Sequence, residues 1–132
     1  MPQDRPLRHV VAFIQPFQLD AVVDALRRLP HFPGLSVSEV RGFGAHHAHP
    51  PRAGEATEVD PFERKTRLEI FCRVSELTTI VEAIREAAHT GNPGDGMIFA
   101  GPVAIGCRIR TAEWGEEALL GDRTSSSRRV RP

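Results

Sequence analysis

Residues 8–29 read RHVVAFIQPFQLDAVVDALRRL, and the change of hydrophobic period inside this stretch decides the fold. Its first part, RHVVAFI, is a compact apolar run that predicts a strand. Val10, Ala12 and Ile14 face one way, and Val11 and Phe13 the other, so both faces of this strand are expected to be buried. Pro16 then opens a helix, because proline is tolerated in a first turn. Leu19, Val22, Val23, Leu26 and Leu29 recur at helical spacing and leave Asp20, Asp24, Arg27 and Arg28 to solvent. Pro30, Pro33 and Gly34 end the helix.

The pattern repeats outward. Residues 35–43, LSVSEVRGF, alternate as a second strand with Leu35 and Val37 on one side. KTRLEIFCRV, residues 65–74, alternates again, with Leu68, Ile70 and Cys72 on one face. Ser75 is the expected N-cap of a second helix, striped by Leu77, Ile80, Val81, Ile84 and Ala88. Residues 97–110 give the expected last strand, kinked at Gly101–Pro102. The order β-α-β-loop-β-α-β predicts an α+β chain, a ferredoxin-like βαββαβ sandwich in which two helices cover one face of a four-stranded antiparallel sheet. Val11, Phe13 and Phe71 fall on the other parity, and self-association is the simplest cover for them.

The chain has 132 residues, 40% of them hydrophobic, enough for one domain with a modest core. Lys plus Arg and Asp plus Glu number 17 each, so the formal charge is zero, which argues against broad electrostatic binding of nucleic acid. No apolar run is long enough to cross a membrane. The start carries charge but lacks the apolar region and cleavage site of a signal peptide, so a cytoplasmic protein is expected. Cys72 and Cys107 sit singly in apolar surroundings and read as buried thiols.

Two segments carry chemistry. AAHTGNPGDGMIFAGPVAIGCRIRTAE, residues 87–113, runs from a helix end through a glycine-rich turn (89–97) to an Arg-x-Arg pair. Gly91, Gly94 and Gly96 let backbone N–H groups approach an anion. Arg108 and Arg110, two apart on the expected strand, would present bidentate donors from one face. A plain helix-to-strand loop explains the glycines equally well, and the Walker pattern is absent. The second segment, AHHAHPPRAGEATEVDPFER, residues 45–64, has neither period nor apolar content, and a loop this long in a small domain is expected to be functional. His46, His47 and His49 lie beside Glu55, Glu58 and Asp60, a donor set that suits Zn²⁺, Cu²⁺ or Ni²⁺. Polar loops also collect histidines for solvation, and no standard ligand spacing is present. The tail, residues 121–132, is polar and Ser/Arg-rich and is expected to be disordered.

Across residues 8 to 120 the chain resembles the PII signal-transduction family, through IQPFQLDAVVDAL, GLSVSEVRGFG, KTRLEIFC, AAHTGNPGDGMIF and CRIRTAEWGEEAL in that order. The resemblance implies a domain over 1–120 with a T-loop at 45–64, assembled as a homotrimer whose strands pack into a central barrel. It implies ATP, ADP or AMP bound as an effector in clefts between subunits, and a T-loop that docks on a protein target such as a membrane transporter, enzyme or regulator of nitrogen and carbon metabolism. Carried over by position, an adenine pocket would lie near Phe13, Ser36, Glu69 and Phe71. Gly42, Gly44 and the Gly94–Asp95–Gly96 turn would border the phosphates, and Asp95 would accept from a ribose hydroxyl or hold the turn. Arg108 and Arg110 would clamp phosphates across the subunit boundary. Lys65 and His46 would fall at the site of a second effector, 2-oxoglutarate, bridged by Mg²⁺. Trp114 would pack on the neighbouring subunit or cap the cleft.

This chain departs from the family pattern at Met97, where a lysine is usual, at Ala45, where an arginine is usual, and at His46, where a glutamine is usual. Losing two cations should weaken the most charged ligand most, which favours ADP or AMP over ATP. The chain has no tyrosine, and Glu58 stands where many members carry a uridylylated one. An alternative reading is a divergent PII-like sensor of a transition metal or a small anion such as bicarbonate, linked to transport. Catalysis would need a general base and a carboxylate-held metal, and only Asp95 and Glu69 lie near the expected cleft. The chain is therefore not expected to be an enzyme.

Overall fold

The computed structural model describes residues 6–45, 53–54 and 60–120. Among the described residues the main elements follow in the order β1 (Leu7–Ile14), α1 (Leu19–Arg27), β2 (Ser36–Gly42), β3 (Glu63–Arg73), α2 (Leu77–Ala88) and β4 (Gly96–Pro102), and residues 116–120 are also helical. The strands form one antiparallel sheet in the spatial order β2-β3-β1-β4, the expected ferredoxin-like arrangement.

The core follows from strand parity. Val10 lies opposite Ile70, and Ala12 opposite Leu68. With Ile14 and Cys72 these side chains are buried against Val22 and Leu26 of α1 and Ile80, Ile84 and Ala88 of α2. Each fully buried aliphatic side chain contributes about 1.5–3 kcal/mol. β2 lies at the sheet edge and is mostly exposed. The opposite face is open: Phe71, Phe99 and Met97 are 45%, 55% and 58% exposed, and Val11 and Phe13 are half-buried. The expected burial of both faces of β1 is therefore met on one face only within a single chain.

Local chemistry sets the element ends. Pro16 begins a short 3-10 turn, Pro16–Gln18, that leads into α1. A similar turn, Val74–Glu76, precedes α2. Ser75 is not the cap expected there. Instead the Arg73 backbone N–H donates to Glu76 Oε1 at 3.0 Å, and the Arg73 guanidinium donates to Glu76 Oε2 at 3.2 Å.

The last strand is shorter than its apolar pattern suggests, ending at Pro102 rather than running to residue 110. Proline has no N–H to continue a ladder, and the Val103 N–H turns to the Leu7 carbonyl at 3.1 Å. Residues 107–114 form a tight turn closed by the Cys107–Trp114 bridge. Arg108 N–H donates to the Glu113 carbonyl at 2.8 Å, and Ala112 N–H to the Arg108 carbonyl at 2.7 Å. Arg108 and Arg110 therefore do not share a strand face. Among the described residues no helix is long and apolar enough to cross a membrane.

The two thiols differ. Cys72 is buried, as expected, and burial pushes its pKa up to about 11. Cys107 is exposed, against expectation, because the strand expected to bury it stops five residues earlier. At pH 8 a folded sample should leave Cys72 unalkylated by iodoacetamide, read by peptide mass spectrometry, and unfolding should expose it. The raised pKa also means that its contribution to stability is complete below the ordinary thiol value and is lost as pH rises towards 11.

Candidate functional site

The glycine-rich loop is built around Asp95. Its carboxylate accepts the Thr90 N–H at 2.7 Å and the Gly91 N–H at 2.9 Å, and also the Thr90 hydroxyl. Thr90 Oγ1 in turn accepts the Asn92 N–H at 3.1 Å. These donors, with Thr90 first, hold the Asp95 carboxyl below the usual aspartate value. Of the two roles considered for Asp95, the structure shows the second: it holds the turn. Gly96 is confined by the sheet, for at φ +117° a Cβ there would lie 1.8 Å from the Phe13 carbonyl oxygen. Gly94, at φ +92°, also needs glycine's conformational freedom.

Lys65 reaches the same loop from the start of β3. Its ammonium donates to the Gly94 carbonyl at 2.7 Å and lies 3.8 Å from Glu63. Gln15 Nε2 donates to the same carbonyl, also at 2.7 Å. The Lys65 side chain is only 16% exposed, so the stem of the long loop and the glycine turn are fastened together. At the two ends of that loop, Phe43 and Phe62 meet edge to face at 4.9 Å, with the Arg41 guanidinium 5.8 Å from the Phe62 ring. Gly42 pairs with Glu63 at the end of β2, and Gly44 is exposed beyond it.

Ser36, Glu69, Phe71 and Phe13 all lie on the open face of the sheet, but Phe13 is four residues along β1 from His9, the partner of Phe71, roughly 14 Å away at 3.4 Å per residue. Ser36 lies opposite Glu69, and Phe13 lies opposite Arg67 on one side and Met97 on the other. Phe71 stacks on His9 with centroids 4.5 Å apart and planes 8° apart. His9 Nε2 is 2.7 Å from Glu69 Oε2, and Arg67 reaches both carboxylate oxygens at 3.4 Å. Arg67 first and His9 second hold the Glu69 carboxyl below its usual range.

Arg108 and Arg110 line a separate cavity of about 650 Å³ with Leu7 and Phe71. Arg108 Nε donates to the Ala118 carbonyl at 2.7 Å, and Trp114 is exposed nearby in sequence. Phe71 sits opposite His9, whereas Gly96 sits opposite Ile14. The arginine cavity and the glycine loop thus lie at opposite ends of β1, roughly 17 Å apart at 3.4 Å per residue. His46, His47 and His49 lie outside the described residues, as does the tail 121–132. Among the described residues no group of three His, Cys, Asp or Glu side chains is placed to hold a metal ion.

The sequence model of the family described as Nitrogen regulatory protein P-II matches residues 7–113. The chain belongs to the P-II family. It is 39% identical over 113 residues to the nitrogen regulatory protein P-II of Azospirillum brasilense, covering 86% of this chain and 100% of that one. A P-II homolog from Arabidopsis thaliana is 36% identical over 127 residues, 94% of this chain and 64% of that protein. A crystal structure of Arabidopsis thaliana PII bound to citrate superposes with a TM-score of 0.71 at 33% identity, over 89% of this chain and 96% of that one. P-II proteins are nitrogen regulatory signalling proteins, and this chain is a signalling protein of that family.

Sequence reading missed four members of the polar network here: Gln15, Thr90, His9 and Arg67. Thr90 had a readable signal, because a Thr-Gly-Asn run before Asp95 favours side-chain capping of a turn. Gln15 and His9 had none, since their partners Gly94 and Glu69 are distant in sequence. Replacing Asp95 by Ala should speed amide hydrogen exchange at Thr90 and Gly91 at least about tenfold, one lost bond each. In the unaltered chain both amide resonances should move together as pH falls below the ordinary aspartate value of 3.8, because a depressed carboxyl stabilises the turn above that value and not below its own.

Proposed function

We propose that the chain is a cytoplasmic, non-catalytic P-II sensor that works as a homotrimer, binds an adenine nucleotide between subunits, and acts on a protein target through residues 45–64. The observation that carries this reading is the Gly94 carbonyl held by both Lys65 and Gln15. It joins an anion-binding type of turn to the stem of the long loop, so a ligand on one must disturb the other. A ligand that favours one arrangement of Lys65 by about 1.4 kcal/mol changes the ratio of loop states tenfold.

The geometry also supports a site shared between copies. One chain holds its glycine loop and its arginine pair at opposite ends of β1, too far apart to grip the same phosphates. A neighbour docked on the open apolar face would bring its own arginines to the glycine loop. That face, with Phe71, Phe99 and Met97 exposed, matches the need for a covering partner. Ser36, Glu69 and Phe71 would then take the base, and the turn after Pro93, with Phe13 opposite Met97 beside it, would take the phosphates. The N–H groups of Thr90, Gly91 and Asn92 are engaged inside the loop. Phosphate contact is therefore assigned to residues 94–97 and not to Gly91.

Lys65 is turned towards Gly94, and Met97 brings no charge to the start of β4. A γ-phosphate accordingly gains little here, and ADP is the expected ligand. Calorimetric titration should show ADP binding at least as tightly as ATP. The Met97→Lys variant should raise ATP affinity relative to ADP by roughly ten- to a hundredfold, the range of one charge-assisted hydrogen bond. A chain that binds neither nucleotide overturns this assignment.

A further inference from the structure

Among the described residues Glu69 is the carboxylate on the open sheet face that is gripped from two sides, by His9 and Arg67, and the two grips are unequal. Both Arg67 contacts are 3.4 Å long, beyond the 2.7–2.9 Å usual for charge-assisted bonds. The His9 contact, at 2.7 Å, is not. An ionised carboxylate only accepts, so His9 must carry its proton on Nε2. Phe71, stacked flat on the imidazole, fixes the ring plane and hence the direction of that N–H. The position of the carboxylate is therefore set chiefly by His9. Oε2 is occupied, while Oε1 has only the long Arg67 contact and retains room for another donor. In the single chain nearly a third of each side chain, 33% for His9 and 28% for Glu69, is exposed, on the face proposed to border the cleft between copies.

We propose that His9 is a positioning residue for base recognition, holding the Glu69 carboxylate so that Oε1 accepts the exocyclic amino group of an adenine and rejects a purine with a carbonyl at that place. This rests on the nucleotide reading given above. An acceptor-only group facing a second acceptor is repelled and left unpaired, which is the strong form of discrimination. Arg67 supplies charge to the carboxylate, and His9 supplies direction.

The test compares ADP with inosine diphosphate, which carries a carbonyl in place of the amino group, by calorimetry on the assembled protein. His9→Phe keeps a flat ring on Phe71 and removes the donor. His9→Gln keeps a donor of similar reach and removes the ring. His9→Ala removes both without adding apolar surface, and replaces the Phe variant if that one does not assemble. The unaltered protein should prefer ADP, and His9→Phe or His9→Ala should reduce that preference about tenfold. His9→Gln should retain most of it. An unchanged preference in the donor-less variants overturns the inference while leaving nucleotide binding intact, and so does a Gln variant that falls as far as Phe. Failure of the unaltered protein to bind either nucleotide overturns both this inference and the function on which it rests.

Discussion

The register of β1 against β3 is the constraint on which the rest of the molecule depends. With Val10 opposite Ile70 and Ala12 opposite Leu68, one parity of each strand lies under the helices and the other faces outward. A slip of one residue would exchange the two sets. It would expose Ile70 and Leu68 and bury the Arg67–Glu69 pair, whose contacts are 3.4 Å long, away from His9. The same register places His9 beside Phe71 and Glu69, and Phe13 beside Arg67. Core and site are thus two sides of one pairing. The penalty for burying a charged pair without full satisfaction protects the site as firmly as hydrophobic burial protects the core.

Sequence periodicity made most of this legible. The parity of RHVVAFI and of KTRLEIFCRV predicts which residues meet the helices, and the stripes of α1 and α2 predict their buried faces. The C-terminal segment was not legible in the same way. Val103, Ile105, Cys107 and Ile109 alternate as a strand would, but Pro102 ends the ladder and the following residues fold into a turn. In that stretch hydrophobic alternation reports the need for a partner surface, and Ile105 and Ile109 are exposed in the single chain. The cap of α2 illustrates a different failure. Ser75 has the right chemistry, yet a 3-10 turn moves the cap position back to Arg73, whose backbone N–H and guanidinium both donate to Glu76.

For the site, the glycines and the charged residues could be picked out in the sequence, but not the bonds between them. Asp95 could have faced a ligand or its own loop; the spacing from Thr90 permits both, and only the folded backbone shows that it closes the turn. Lys65 and Gly94 are separated by a whole helix and most of a strand, and no local pattern connects them. Such links arise from topology: β3 and β4 flank β1 on opposite sides, and the start of β3 and the entry to β4 lie at the same end of the sheet. Gly96 locks this arrangement, since its backbone passes against the Phe13 carbonyl where any side chain would collide.

The separation of the arginine cavity from the glycine loop has a thermodynamic consequence for the proposed assembly. If each ligand is held by a glycine loop from one copy and arginines from the next, then binding and association are linked functions. A ligand that binds only the assembled form stabilises it by RT ln(1 + [L]/Kd), about 2.7 kcal/mol at a hundredfold excess over Kd. By reciprocity, the assembled form must bind that ligand more tightly than a lone chain does. In that proposed assembly Met97 and Phe99, exposed on the open face, would supply association that does not depend on ligand, and the trimer would persist when the site is empty. The ligand's differential free energy then acts mainly on the softer element, the Lys65–Gly94 link at the stem of the long loop. A sensor of this kind needs that division: a hydrophobic interface strong enough not to respond, beside a polar junction weak enough to respond.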